Sequence, residues 1–177
     1  MLSVSMKIIL CGYMCSGKTS VGNLLSGSLQ IPLIDLDQEI SKRERKSIPE
    51  IFQKPGEIYF RRRESEVLRE ILASDRPVVL SLGGGTPCYG SNLEMIKSSG
   101  AVMVYHETSL PELKSRIIKE RGERPLLEHL RTEDEIEDFL RKHLFERNPY
   151  YRESDLTIRT DGKSATEIAG EIQSRLM

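Results

Sequence analysis

The sequence predicts an open α/β fold in which helices cover a parallel sheet. Two patterns predict it. Short apolar runs recur along the chain without polar alternation, as expected for strands buried on both faces. Between them lie longer stretches whose apolar residues repeat at helical spacing, and this alternation of strand and helix implies right-handed crossovers. A chain of 177 residues with 38% hydrophobic and 30% charged residues can bury a substantial core, so one domain spanning 1–177 is expected rather than disorder or a fibrous repeat.

The predicted strands are 7–11 (Lys-Ile-Ile-Leu-Cys), 32–34 (Pro-Leu-Ile), 78–82 (Val-Val-Leu-Ser-Leu), 101–105 (Ala-Val-Met-Val-Tyr) and 156–158 (Leu-Thr-Ile). A helix is expected to start near Lys18. Another follows from Phe60, Glu64, Val67, Leu68, Ile71 and Leu72, which share one helical face, and a third from Ile136, Phe139, Leu140 and Leu144. Two charged segments interrupt this plan: residues 37–63, and a Gly- and Pro-containing stretch around 119–125. Both are expected to be mobile excursions over an active site.

Composition excludes several classes of function. With 26 Lys and Arg against 27 Asp and Glu, and no Trp, the chain lacks the basic excess and interleaved aromatics of a nucleic-acid binder. The uncharged run 19–34 is broken by Gly, Asn, Gln and Pro, too polar for a membrane span, and the short apolar run near the start does not make a signal peptide. Cys11, Cys15 and Cys88 are too few and too irregularly spaced for a disulfide framework or a zinc pair. A cytoplasmic monomer is expected, with no nucleic-acid or membrane partner. His106, His129 and His143 show no ligand spacing.

The strongest chemical signal is Gly12-Tyr13-Met14-Cys15-Ser16-Gly17-Lys18-Thr19, which fits GxxxxGK[ST] between the first strand and the first helix. Backbone N–H groups of such a loop hold a polyphosphate, and the helix behind it presents its positive end. Lys18 carries a charge to the β- and γ-phosphates, while the Thr19 hydroxyl is a hard oxygen ligand for Mg²⁺. A Mg²⁺–nucleoside triphosphate is therefore implied.

Asp35 and Asp37 close the second strand, separated by one residue and so on one face of an extended backbone. Asp35 suits the metal shell and Asp37 an acceptor hydroxyl; the alternative is that Asp37 caps the next helix. Gly83, Gly84 and Gly85 after the third strand clear side chains from a place where a ligand can approach the backbone, or form a flexible turn. Of Arg61, Arg62 and Arg63, Arg61 has Glu57 four residues before it and Glu64 three after it, which can fix its guanidinium. Arg124 and Arg147 are weak signals when taken singly. A regulatory GTP switch is disfavoured, because the sequence has neither NKxD nor DxxG. A kinase for gluconate or a nucleotide remains a rival, less suited to two arginines, a carboxylate and a glycine wall.

Taken together, these residues resemble the shikimate kinases, small P-loop kinases of the nucleoside monophosphate kinase type. The resemblance rests on the GxxxxGKT loop, Asp35-x-Asp37 and the stretch from Ile48-Pro49-Glu50 through Phe60-Arg61-x-x-Glu64. It continues through Gly83-Gly84-Gly85, Arg124-Pro125-Leu126-Leu127 and Arg147-x-Pro149-x-Tyr151, covering nearly the whole chain. It implies a three-layer α/β/α fold around a five-stranded parallel sheet, a substrate-binding excursion at about 37–63 and a lid at about 118–131. The implied reaction is ATP-dependent phosphorylation of the 3-hydroxyl of shikimate. By matched positions, Asp37, Arg61, Gly83, Gly84, Gly85 and Arg147 would hold shikimate, and Thr19 and Asp35 would position Mg²⁺. Lys18, Asp37 and Arg124 would be catalytic, with Arg124 arriving on the lid. The loop residues Gly12 to Thr19, with Arg116, Arg124 and Lys163, would bind ATP. Cys15 departs from the Gly or other small residue usual in the family at the middle of the loop.

Overall fold

The computed structural model describes residues 6–120, 130 and 132–177. Its five strands are β1 (Lys7–Cys11), β2 (Leu33–Asp35), β3 (Val78–Ser81), β4 (Val102–Glu107) and β5 (Leu156–Arg159). They pair in parallel in the order β2-β3-β1-β4-β5. The eight α-helices among the described residues are α1 (Lys18–Leu29), α2 (Leu36–Glu44), α3 (Ile48–Gln53), α4 (Glu57–Ala73), α5 (Asn92–Ser98), α6 (Leu110–Lys119), α7 (Glu133–Tyr151) and α8 (Ala165–Leu176).

The unbroken apolar runs are explained by layers on both sides of the sheet. Along β1, Ile8 and Leu10 pack with Val21 and Leu25 of α1 and Ile168 and Ile172 of α8. Ile9 and Cys11 face the other way, into a larger core that includes Ile40, Leu68, Leu113 and Leu140. Side chains alternate across a strand, so burial on both faces requires every β1 position to be apolar or aliphatic in its stem. Even Lys7 is buried, with Nζ donating to the Leu72 carbonyl at 2.7 Å.

Four strands differ from the sequence expectation: β3 ends one residue earlier at Ser81, β5 one later at Arg159, and β2 and β4 shift at both ends. Pro32 has no N–H to give the sheet, although its carbonyl accepts from Val79, and β2 therefore starts at Leu33 and includes Asp35. β4 runs on through His106 and Glu107, which pair with Ile158 and Arg159 despite their polarity.

The charged segment 37–63 is helical. α2, α3 and the first turns of α4 anchor in the core through Leu36, Ile40, Ile51 and Phe60. A Ser47/Glu50 capping box starts α3, and Arg63 of α4 bonds Glu44 of α2 at 2.7 Å. Among the described residues, no helix is long and apolar enough to cross a membrane.

Candidate active site

β1, β2 and β3 end on the same edge of the sheet, where ligands of open α/β folds bind. Leaving β1, the chain passes Gly12 at φ 143°, where a Cβ would stand 2.9 Å from the His106 carbonyl oxygen. Only glycine permits both the conformation and that approach. Gly17 caps α1 with φ 86°, and Cys15 takes the left-handed conformation at φ 61°, where L side chains are strained. The thiol donates to Glu120 Oε2 at 3.3 Å, and the Cys15 carbonyl accepts from Arg116 Nη1 at 3.0 Å. Arg116 is held in turn by Glu112 at 2.8 Å.

Lys18 Nζ donates to the Gly12 and Tyr13 carbonyls, each at 2.8 Å, and so lies across its own loop. Burial pushes this ammonium down to about 8, against the pull of nearby Asp37 and Asp35. Thr19 Oγ1 donates to Asp35 Oδ2 at 3.3 Å. A hydroxyl and a carboxylate at this separation are a hard-oxygen pair suited to Mg²⁺. It is Asp35, and not Asp37, that caps α2, accepting from the Gln38 N–H at 3.1 Å. The capping alternative for Asp37 is thereby overturned.

Asp37 stands in the first turn of α2 with Oδ1 buried and without a hydrogen-bond partner among the described residues. Its pKa is pushed up to about 6, first by burial and then by the carboxylates of Glu64 and Asp35, with Lys18 and Arg61 acting the other way. A buried acceptor of this kind is poised to receive a ligand's hydroxyl proton.

The three glycines after β3 each face one of these side chains. A Cβ on Gly83 would lie 2.9 Å from Asp37 Oδ1, one on Gly84 3.0 Å from Arg147 Nη1, and one on Gly85 2.6 Å from Arg61 Nη2. The absence of side chains lets the carboxylate and both guanidinium groups crowd against one stretch of backbone. The glycines also form a turn, with the Thr86 N–H donating to the Gly83 carbonyl at 3.1 Å, so the turn and the close approach coexist.

Arg61 is oriented as its flanking glutamates suggested, with Nη1 2.8 Å from Glu64 and Nε 3.6 Å from Glu57. Arg62 is two-thirds exposed, and Arg63 turns to Glu44. Glu64, which the spacing assigned to Arg61, does more than orient that guanidinium. It is buried, and it also accepts from Thr86 Oγ1 at 2.7 Å. Thr86 is joined through its carbonyl to Asn92 Nδ2 at 2.9 Å, so Arg61 rests on a fully buried polar chain. Tyr151, one turn after Arg147 on α7, donates to the Gly84 carbonyl at 2.5 Å. The Arg147-x-x-x-Tyr151 spacing carries that signal, because residues four apart share a helical face.

His106, which shows no ligand spacing in the sequence, also meets the phosphate loop. It is buried beneath the phosphate loop with Nδ1 3.4 Å from the Ser16 carbonyl, and burial together with Lys18 pushes it down to about 3. The Lys163 ammonium is bonded to Glu171 of α8 at 2.6 Å. Arg124 and the greater part of the expected lid at 118–131 lie outside the described residues.

A glycine-framed phosphate loop at the centre of a 2-3-1-4-5 parallel sheet, facing a separate pocket of one carboxylate and two arginines, defines a P-loop phosphotransferase for a small acceptor. The shikimate kinase family model matches residues 14–177. A shikimate kinase from Flavobacterium psychrophilum is 41% identical over 170 residues, which span 96% of this chain and 98% of that one. The crystal structure of shikimate kinase from Bacteroides thetaiotaomicron superposes with a TM-score of 0.88 at 31% identity, covering 97% and 98% of the two chains. That of the Acinetobacter baumannii shikimate kinase, in complex with shikimate, gives a TM-score of 0.85 at 35% identity, covering 97% and 92%. The chain belongs to the shikimate kinase family.

Proposed function

We propose that this protein transfers the γ-phosphoryl group of ATP to the 3-hydroxyl of shikimate, producing shikimate 3-phosphate and ADP in the pathway to chorismate and the aromatic amino acids. The observation that carries this reading is the opposition of Gly83, Gly84 and Gly85 to Asp37, Arg147 and Arg61. Two planar guanidinium groups suit a carboxylate through paired, charge-assisted hydrogen bonds. A buried carboxylate beside them suits a ring hydroxyl, so the acceptor is a small polyhydroxylated acid rather than a nucleobase.

In this reading Arg61 and Arg147 grip the acceptor's carboxylate, and Gly83 to Gly85 leave room for the ring. Asp37 accepts the hydrogen of the attacking hydroxyl and aligns its oxygen with the γ-phosphorus. Lys18 leaves the Gly12 and Tyr13 carbonyls for the β- and γ-phosphate oxygens and meets the charge that spreads over them during transfer. The loop N–H groups from Tyr13 to Thr19 hold the phosphates, with Gly12 giving the turn, and Arg116 braces the loop at Cys15. Arg124 is assigned to the lid and to the transferring group, and Lys163 to the loop beside the adenine. Thr19 and Asp35 would hold Mg²⁺, which would supply positive charge to neutralise the polyphosphate. The protein is proposed to act as a single-domain cytoplasmic monomer with no nucleic-acid or membrane partner.

The test is the position of the phosphate in the product. ³¹P–¹H correlation of the reaction mixture is expected to couple the new phosphate to the proton on C3 of shikimate. Coupling to C4 or C5, or orthophosphate alone, would reject the assignment of Asp37.

A further inference from the structure

Tyr13 belongs to the phosphate loop, yet its side chain is buried in the larger core. It is 2% exposed, and Arg147 and His143 meet its ring and hydroxyl. The guanidinium carbon of Arg147 lies 5.4 Å from the ring centroid, within reach of a cation–π contact. The phenol oxygen is 3.0 Å from His143 Nδ1. The His143 ring in turn packs on Phe139, with centroids 4.1 Å apart. Phe139, His143 and Arg147 follow one another at intervals of four on α7 and so share a face.

Both partners of this hydrogen bond are neutral. Burial pushes the Tyr13 phenol up to about 12, so it keeps its proton, and burial together with Arg147 holds the His143 imidazole below its ordinary value. In the Nε2–H tautomer the phenol donates to Nδ1 and in the Nδ1–H tautomer the imidazole donates to the phenol oxygen, so the hydroxyl is tied to His143 in both. Meanwhile Arg147 has no carboxylate partner among the described residues, whereas Arg61 has two. Its guanidinium is placed by the Tyr13 ring, by Tyr151 and by the gap over Gly84.

We propose that Tyr13 is a positioning residue for the acceptor's carboxylate: its ring, pinned through the hydroxyl by His143, holds the Arg147 guanidinium over Gly84. This rests on the reading that Arg147 binds that carboxylate. It gives the phosphate loop a second task, since the backbone carbonyl of the same residue accepts from Lys18 while its ring serves the acceptor pocket.

The test compares kcat/KM for shikimate with that for shikimate methyl ester, whose neutral ester removes the charge that Arg147 would recognise. Tyr13→Leu is expected to reduce the acid-over-ester preference by about tenfold, the scale of one charge-assisted contact. Tyr13→Phe, which keeps the ring and its packing, and His143→Leu are expected to reduce the preference by about threefold, because the platform remains but is no longer pinned. In an Arg147→Lys background, Tyr13→Leu should cause no further loss of preference.

If Tyr13→Leu does not fold, Tyr13→Phe and His143→Leu decide the matter. An unchanged acid-over-ester ratio in these variants, with both kcat/KM values falling together, would overturn the inference and leave Tyr13 a packing residue. A wild-type ratio near one, or a ratio untouched by Arg147→Lys, would instead remove Arg147 from the carboxylate and this inference with it.

Discussion

Replacing Asp37 by Asn is expected to make the unliganded protein more stable while abolishing its turnover. In the fold, burial and the neighbouring carboxylates of Glu64 and Asp35 raise Asp37 from 3.8 to about 6. At about 1.4 kcal/mol per pH unit, that difference makes the ionised side chain cost about 3 kcal/mol at neutral pH relative to the unfolded chain. Asp37 is not fully enclosed, so a measured gain of about 1–3 kcal/mol is expected for the isosteric, uncharged Asn. The sign follows from linkage. Asp37 binds its proton more tightly when folded, so its contribution is most favourable below pH 4 and is lost as pH rises through about 6. The advantage of Asn over Asp should therefore be largest above pH 7 and shrink steadily between pH 6 and pH 4. Urea unfolding of both proteins at pH 7.5, 6.0 and 4.5 measures it. A variant less stable than wild type at pH 7.5, or an advantage independent of pH, would refute the picture of Asp37 as a strained, underpaired carboxylate.

Further outcomes follow from the same geometry. Because Asp37 must be ionised to receive a proton, kcat/KM for shikimate should fall below pH about 6, and Glu64→Gln should move that acid limb to lower pH by removing a neighbouring negative charge. Gly85→Ala should raise the KM for shikimate by about tenfold or more and leave that for ATP within about twofold, since the new methyl displaces only Arg61 and its backbone φ of −90° accepts alanine. Steady-state kinetics with each substrate varied in turn would detect the split. Thr19→Val keeps the shape of the side chain but not its oxygen, and the Mg²⁺ concentration giving half-maximal rate should rise by about tenfold or more. An unchanged Mg²⁺ titration would take Thr19 out of the metal site.

The strands were legible because each is buried on both faces, which leaves apolar runs such as Ile8-Ile9-Leu10 that no surface element would carry. The phosphate loop was legible because Gly12 and Gly17 meet backbone demands that only glycine satisfies easily. Arg61 could be singled out from its neighbours because Glu57 and Glu64 are local in sequence. The triple glycine was different: its purpose depends on Asp37, Arg61 and Arg147, which arrive from other elements, so its spacing alone fitted a turn equally well. Asp35 and Asp37 look alike as letters, and only the backbone angle at the strand end makes the first the cap and the second the underpaired acid. The Thr86–Glu64, His106–Ser16 and Tyr13–His143 bonds act through tertiary contacts between residues whose local patterns describe ordinary helix, strand and loop positions.

The most direct test of the central claim is the rate of ADP release from ATP and Mg²⁺ in the presence of shikimate, gluconate, AMP or no acceptor. Shikimate alone is expected to support rapid release, with the other three near the background rate. Release that is equal without an acceptor, or faster with gluconate or AMP, would contradict the pocket of Asp37, Arg61 and Arg147 as a site for shikimate.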